Sequence, residues 1–149
     1  AIPYADLLKV SEEELVFLTG ESDPEKGARL LSERFRLNVV LTTLGPKGCL
    51  ACARSPETGE TTVLRVGGFP AETVDTTGAG DSFTGGFLSR LLRRGGDATV
   101  YARDREAFLA DLRYANAVGS LTTTKKGGIP ALPSPDEVEA YLATLTDVP

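Results

Sequence analysis

The run Val74-Asp75-Thr76-Thr77-Gly78-Ala79-Gly80-Asp81-Ser82-Phe83 constrains this chain more than any other stretch. A glycine-rich turn leads straight into an apolar helical pattern, with an acid at the join. Small residues at 78–80 let the backbone curl until consecutive N–H groups face one point. A helix N-terminus adds partial positive charge there, so the turn forms a seat for a phosphate. A carboxylate repels phosphate, and Asp81 is misplaced beside such a seat unless it takes a proton from an attacking hydroxyl. The pattern therefore points to phosphoryl transfer rather than to phosphate binding alone. The alternative is a glycine loop that merely starts a helix. A lone G-x-G-D would leave that alternative open, and the full ten-residue string weighs against it.

The residues after Asp81 support a helix. Phe83, Phe87, Leu88, Leu91 and Leu92 recur at helical spacing, and Arg90, Arg93 and Arg94 sit where the C-terminal dipole favours cations. Gly95 can close the end. Gly85 and Gly86 each weaken a helix interior by roughly 1 kcal/mol relative to Ala, which close packing against a neighbour would offset.

Strand-like and helix-like segments alternate through the rest of the chain. Asp6 to Val10 reads as a buried strand, and Ser11 then starts a helix through Glu14, Leu15 and Leu18 that Gly20 stops. Asp23 and Pro24 open a second helix with Ala28, Leu31 and Phe35 on one face. Asn38 to Leu44 is the clearest buried strand, closed by Gly45-Pro46-Lys47-Gly48. Cys49 to Arg54 and Thr61 to Val66 read as an antiparallel-like pair joined by a turn-rich segment. A polar connection, roughly 95–104, precedes a helix from about Arg105 to Thr122 with Phe108, Leu112, Ala115 and Gly119 on one face. Residues 123–133 form a loop. Ser134, Pro135 and Glu137 start a last helix with Val138, Tyr141, Leu142 and Leu145 as its stripe. This order predicts an α/β layer fold with a mostly parallel sheet.

Composition removes several function classes. At 149 residues the chain can form a real core. With 16 Lys and Arg against 21 Asp and Glu, and no long basic cluster, neither nucleic acid nor a membrane surface is the expected partner. Apolar stretches are too short to span a bilayer and no signal-peptide pattern is visible, so a cytoplasmic location is expected. The absence of histidine excludes Ser-His and Cys-His catalysis and every His-ligated metal. Cys49 and Cys52 have C-x-x-C spacing, but on a strand residues three apart point to opposite faces, so reduced, buried thiols are expected. No G-x-x-x-x-G-K-[ST] string occurs, which rules out a P-loop. The chain opens at Ala1 and contains no methionine, so it is expected to be a piece of something longer.

Asp75 to Leu88 resembles the second signature of the ribokinase, or PfkB, carbohydrate kinases. Lys9-Val10-Ser11-Glu12-Glu13-Glu14-Leu15, Thr42-Thr43-Leu44-Gly45-Pro46-Lys47-Gly48 and the stretch from Leu121 to Pro133 resemble the corresponding parts of the family's fructokinases. The likeness implies a ribokinase-like three-layer α/β/α fold. Residues 1–149 would be its C-terminal, nucleotide-binding part, an incomplete domain, with the sugar-contacting N-terminal half and its lid absent. It further implies ATP-dependent phosphorylation of a sugar primary hydroxyl, most of all D-fructose to D-fructose 6-phosphate. Ribokinase, 2-keto-3-deoxygluconate kinase and nucleoside kinase activities remain alternatives, as does a non-catalytic binding subunit.

On this resemblance Asp81 is the general base, and Gly78, Ala79 and Gly80 supply N–H groups to the transferring phosphoryl group. Thr43, Leu44, Gly45, Gly48 and Asn116 border the nucleotide. Glu14 belongs to the shell of a magnesium ion that enters as MgATP, while Ser11 caps its helix. Asp75 and Thr77, with carbonyls around Thr122, Lys125, Gly127 and Ala131, match a potassium site. The implied partners are ATP and a small sugar, and a homodimer of the full-length protein is the assembly the resemblance allows. The fragment alone is expected to be inactive and to associate through its exposed sheet edge.

Overall fold

A computed structural model describes residues 2–145, and of Pro3 the backbone alone. Four strands form one sheet in the order β1 (Leu7–Ser11), β2 (Val39–Thr43), β3 (Cys49–Arg54), β4 (Thr61–Val66). β1 and β2 run parallel, with Leu7 opposite Val39 and Ser11 opposite Thr43, while β2–β3 and β3–β4 are antiparallel. The sheet is thus mixed rather than mostly parallel. Loop length explains the difference. A parallel crossover needs a dozen or more residues, and the short turns after β2 and β3 permit only antiparallel returns.

The strand period of two divides the core. Val39 and Leu41 face one side with Cys49, Ala51 and Val66, whereas Val40, Leu50 and Cys52 face the other. Helices α1 (Glu12–Thr19) and α2 (Pro24–Phe35) cover the second side through Leu15, Ala28 and Leu31. Helices α3 (Ala79–Arg93) and α5 (Arg105–Thr122) cover the first through Phe83, Phe87, Phe108 and Leu112, with α6 (Pro135–Ala143) adding Val138. The expected α/β/α layering is present.

Local chemistry sets the helix ends. Ser11 with Glu14 and Ser134 with Glu137 each form a reciprocal capping box, and Asp23 accepts from the Glu25 and Lys26 amides ahead of Pro24. After α3, the Gly95 amide donates to Leu92 O and the Gly96 amide to Leu91 O, a Schellman closure that needs the positive φ of Gly95.

Two expectations for α3 change. Phe83, Phe87 and Leu91 lie four apart and are buried, but Leu88 and Leu92 sit about 100° further round and are exposed. Gly86 does allow close packing, since a Cβ there would stand 3.0 Å from Val118 Cγ2 on α5, whereas Gly85 would meet nothing within 4 Å.

The polar connection holds a further short helix, α4 (Val100–Arg103), whose Tyr101 is fully buried with its ring stacked on Phe108 at 4.9 Å. Tyr101 donates to Asp111 at 2.8 Å. Arg90 also donates to this carboxylate, at 3.0 Å, and Arg94 through Nη2 at 3.1 Å. Burial raises the Asp111 carboxyl, but the hydrogen bonds from Arg94, Arg90 and Tyr101 outweigh it and hold it below the ordinary range. This cluster joins α3, α4 and α5. No helix among the described residues is long and apolar enough to cross a membrane.

Candidate phosphoryl-transfer site

α3 starts where Gly78 turns left-handed, at φ 78 and ψ 1, a conformation natural to glycine. The Gly78 carbonyl accepts from the Ser82 amide at 2.8 Å, and the Ala79 amide, expected to face a phosphoryl group, is engaged within the turn, donating to Thr76 O at 3.2 Å. The amides of Gly78, Gly80 and Asp81 have no hydrogen-bond partner among the described residues, which leaves donors at the positive end of the helix. Asp81 lies in the first turn with its side chain exposed.

Lys9 reaches the same point and was missed by reading the sequence. Its Nζ lies 3.0 Å from where a Gly80 Cβ would be, and it has no ion-pair partner among the described residues. The signal was available, because strand alternation puts Lys9 on the same face of β1 as Leu7, toward α3. A cation at a helix N-terminus is electrostatically unfavourable unless an anion lies between them.

The turn before α3 is tied to the loop after α5. Asp75 accepts from the Thr77 amide at 2.9 Å and, through its other oxygen, from the Gly127 amide at 3.0 Å. The Val74 and Asp75 amides both donate to Thr123 O. Hydrogen bonding from the Gly127 amide first, then from the Thr77 hydroxyl and amide, holds the Asp75 carboxyl below the ordinary range. Of the residues expected around a potassium ion, Asp75, Thr77 and Gly127 are thus joined directly. Ala131 is buried in the same loop and Thr122 ends α5. The Lys125 side chain points away to pair with Glu137 at 3.0 Å, which leaves its backbone carbonyl, the group expected here, unaffected.

Most of the residues expected at a nucleotide converge on one cavity of about 300 Å³. Thr43, Gly45, Gly48 and Asn116 line it together with Ala79 and Gly80, while Leu44 is buried beside it and is not on its wall. Its floor requires glycine. At Gly48, φ 96, a Cβ would fall 2.1 Å from Val66 O, and at Gly68 one would fall 1.8 Å from Pro46 O. The Asn116 amide donates to Gly67 O at 2.8 Å. A second cavity, about 410 Å³, is lined by Gly78, Asp81, Gly85, Ser89 and Tyr114 among others.

Glu14 accepts from the Ser11 amide at 2.7 Å and is exposed. Because Ser11 pairs with Thr43, this capping box sits at the same strand ends as the first cavity. No group of three or more Asp, Glu, Cys or His that could hold a metal stands together among the described residues. Cys49 and Cys52 are free, buried and on opposite faces of the sheet; burial pushes the Cys49 thiol up to about 12.

The fold and this arrangement define a three-layer α/β/α protein with a glycine turn and helix N-terminus set between two cavities. The model of the pfkB family carbohydrate kinases matches residues 1–135, and the chain belongs to that family. It is 43% identical over 138 residues to a probable fructokinase-4 of Arabidopsis thaliana, covering 93% of this chain and 39% of that relative. A double-mutant fructokinase of Vibrio cholerae O395, solved in its fructose-, ADP- and potassium-ion-bound form, is 37% identical with a TM-score of 0.77, covering 95% of this chain and 42% of that one. Arabidopsis thaliana ribokinase complexed with ribose and ATP is 29% identical with a TM-score of 0.73, covering 95% and 42%. The chain therefore spans about two fifths of the length of these proteins.

Proposed function

We propose that this chain carries the phosphoryl-transfer part of an ATP-dependent sugar kinase, with D-fructose as the leading acceptor and D-fructose 6-phosphate as product. One observation carries the reading. The N-terminus of α3 presents unpaired amides between a cavity lined by Thr43, Gly45, Gly48 and Asn116 and a separate one lined by Asp81. Displacement at phosphorus needs room for a donor and an acceptor about the transferring group, and two cavities that meet this turn, one lined by Gly78 and Asp81 and the other by Ala79 and Gly80, suit those two roles. The kinship with fructokinases supports the choice of sugar.

Asp81 takes the proton of the attacking hydroxyl as the new O–P bond forms and the bond to the leaving ADP oxygen breaks. The amides of Gly78, Gly80 and Asp81 and the Lys9 ammonium offset charge on the phosphoryl oxygens. Magnesium, entering with the nucleotide, would neutralise phosphate charge, and an exposed carboxylate such as Glu14, held by its capping bond to Ser11, suits its water shell. The Asp75 carboxylate and neighbouring carbonyls form an all-oxygen donor set that suits a hard monovalent cation. Such an ion would hold the 74–78 turn against the 123–128 loop.

A coupled assay of the protein from its complete coding sequence, against fructose, ribose and adenosine, tests the acceptor. Asp81→Asn should lower kcat by about 10²–10⁴ while ADP still binds, the range for losing a general base. A near-wild-type kcat would refute the role of Asp81. Replacing potassium with sodium should slow turnover; unchanged activity removes the cation site.

A further inference from the structure

Residues 67–74 form one wall of the nucleotide cavity without any helix or strand of their own, and Gly68, Phe69, Ala71 and Thr73 all line it. Irregular backbone of this kind holds its shape only where other groups fix it. Here three side chains from outside the segment do so. Asn116 on α5 holds Gly67 O at 2.8 Å. Arg113, one turn earlier on α5, lays its guanidinium over the Phe69 ring at 5.3 Å and also donates to Leu145 O, just past α6. Tyr141 on α6 packs edge-on against Phe69, with ring centroids 6.3 Å apart, and its hydroxyl donates to Pro70 O.

We propose that α6 acts as a clasp on the nucleotide wall and that Tyr141 is a positioning residue for the nucleotide. Tyr141 does not line the cavity; it acts through Phe69 and Pro70. Asn116 holds Gly67 and Arg113 stacks on Phe69, while Tyr141 is the described residue whose side chain bonds the backbone of Pro70. Without that bond the free protein samples conformations in which the wall has moved. Nucleotide must then restore it, and its apparent affinity falls by the fraction of protein that is correctly formed. Once nucleotide is bound the wall is in place, so the chemical step proceeds as before. The proposal rests on the nucleotide reading of this cavity and adds what maintains it.

The test compares Tyr141→Phe with wild type in the protein from its complete coding sequence. It measures ADP binding by calorimetry, steady-state kinetics, and hydrogen exchange at the amides of 67–74. Loss of one neutral hydrogen bond should raise KM for ATP and Kd for ADP about three- to ten-fold. Values of kcat and of KM for the sugar should stay within about two-fold, and exchange at 67–74 should quicken. Tyr141→Ala, which also removes the ring from Phe69, should raise the nucleotide constants further, and Tyr141→Phe should recover part of that loss.

A Tyr141→Phe protein with a lowered melting temperature but unaltered nucleotide constants would show a merely structural role and overturn the proposal. An equal fall in kcat with unchanged KM for ATP would overturn it as well. Wild-type protein that does not bind ADP at all would overturn the nucleotide reading and the clasp together. Wild-type binding with an indifferent Tyr141→Phe overturns the clasp alone.

Discussion

Gly48→Ala is the most demanding test of how the cavity lined by Thr43 and Asn116, the proposed nucleotide site, is built. At φ 96 and ψ −131 the backbone lies in a region that residues with a side chain rarely enter, which costs about 1–3 kcal/mol for alanine. The added Cβ would also fall 2.1 Å from Val66 O, 2.5 Å from Gly67 C and 2.7 Å from Gly68 N. All three are backbone atoms, so no rotamer change relieves the contact. The strands must part by more than about 1 Å at the Cys49–Val66 pair, an overpacking strain of about 1–3 kcal/mol. A combined loss of about 2–6 kcal/mol lowers the melting temperature by roughly 5–20 °C in a chain of this size. Gly67 and Gly68 move with Val66, so ADP affinity should fall as well. Gly45→Ala is the matched control. Gly45 also has positive φ, at 57, but nothing lies within 4 Å of its Cβ position, and alanine there costs only the left-handed term of about 1–2 kcal/mol. Thermal melts followed by circular dichroism and ADP titrations of both variants decide the matter. Equal shifts for the two, or a Gly48→Ala protein melting within a degree or two of its parent, would refute the backbone-contact argument.

Asp111→Asn should destabilise the protein by about 2–3 kcal/mol, below the usual range for breaking a buried ion pair because Arg90 and Arg94 remain partly exposed. Since the folded Asp111 carboxyl titrates below the ordinary range, its contribution is complete above the unfolded value near pH 4 and is lost as pH falls through the lower folded value. Denaturant melts from neutral to acid pH should show the gap between parent and variant closing at the acid end. A gap that stays constant throughout would remove the charge as its source.

What the sequence displayed most clearly is chemistry confined to a few adjacent residues. The capping boxes at Ser11 and Ser134, the Asp23-Pro24 start, and the limits of β3, β4 and α5 were all legible, because each is fixed within a turn or a strand. The glycine run before Asp81 was legible as a helix start for the same reason. Features that depend on distant partners were harder to read. α4 is four residues long, too short to show a period, and its Tyr101 is buried by Phe87 and Phe108 from two other helices. Arg90 and Arg94 read as end-of-helix cations, and nothing within α3 announces that both hold Asp111, some twenty residues on. Leu88 and Leu92 fitted a helical spacing as well as Phe83 and Phe87 did; only the position of α5 and the sheet selects the buried row. The wall at 67–73 carried no pattern, since side chains more than forty residues away give it its form.

The placement of the two thiols gives each layer its own chemical probe. Cys49 belongs to the core beneath α3 and α5, and Cys52 to the core beneath α1 and α2. Neither is accessible, so alkylation reports the opening of the surrounding layer rather than a property of the thiol. Labelling rates read site by site would measure whether the two faces of the sheet come apart as one unit or in succession, without any engineered residue.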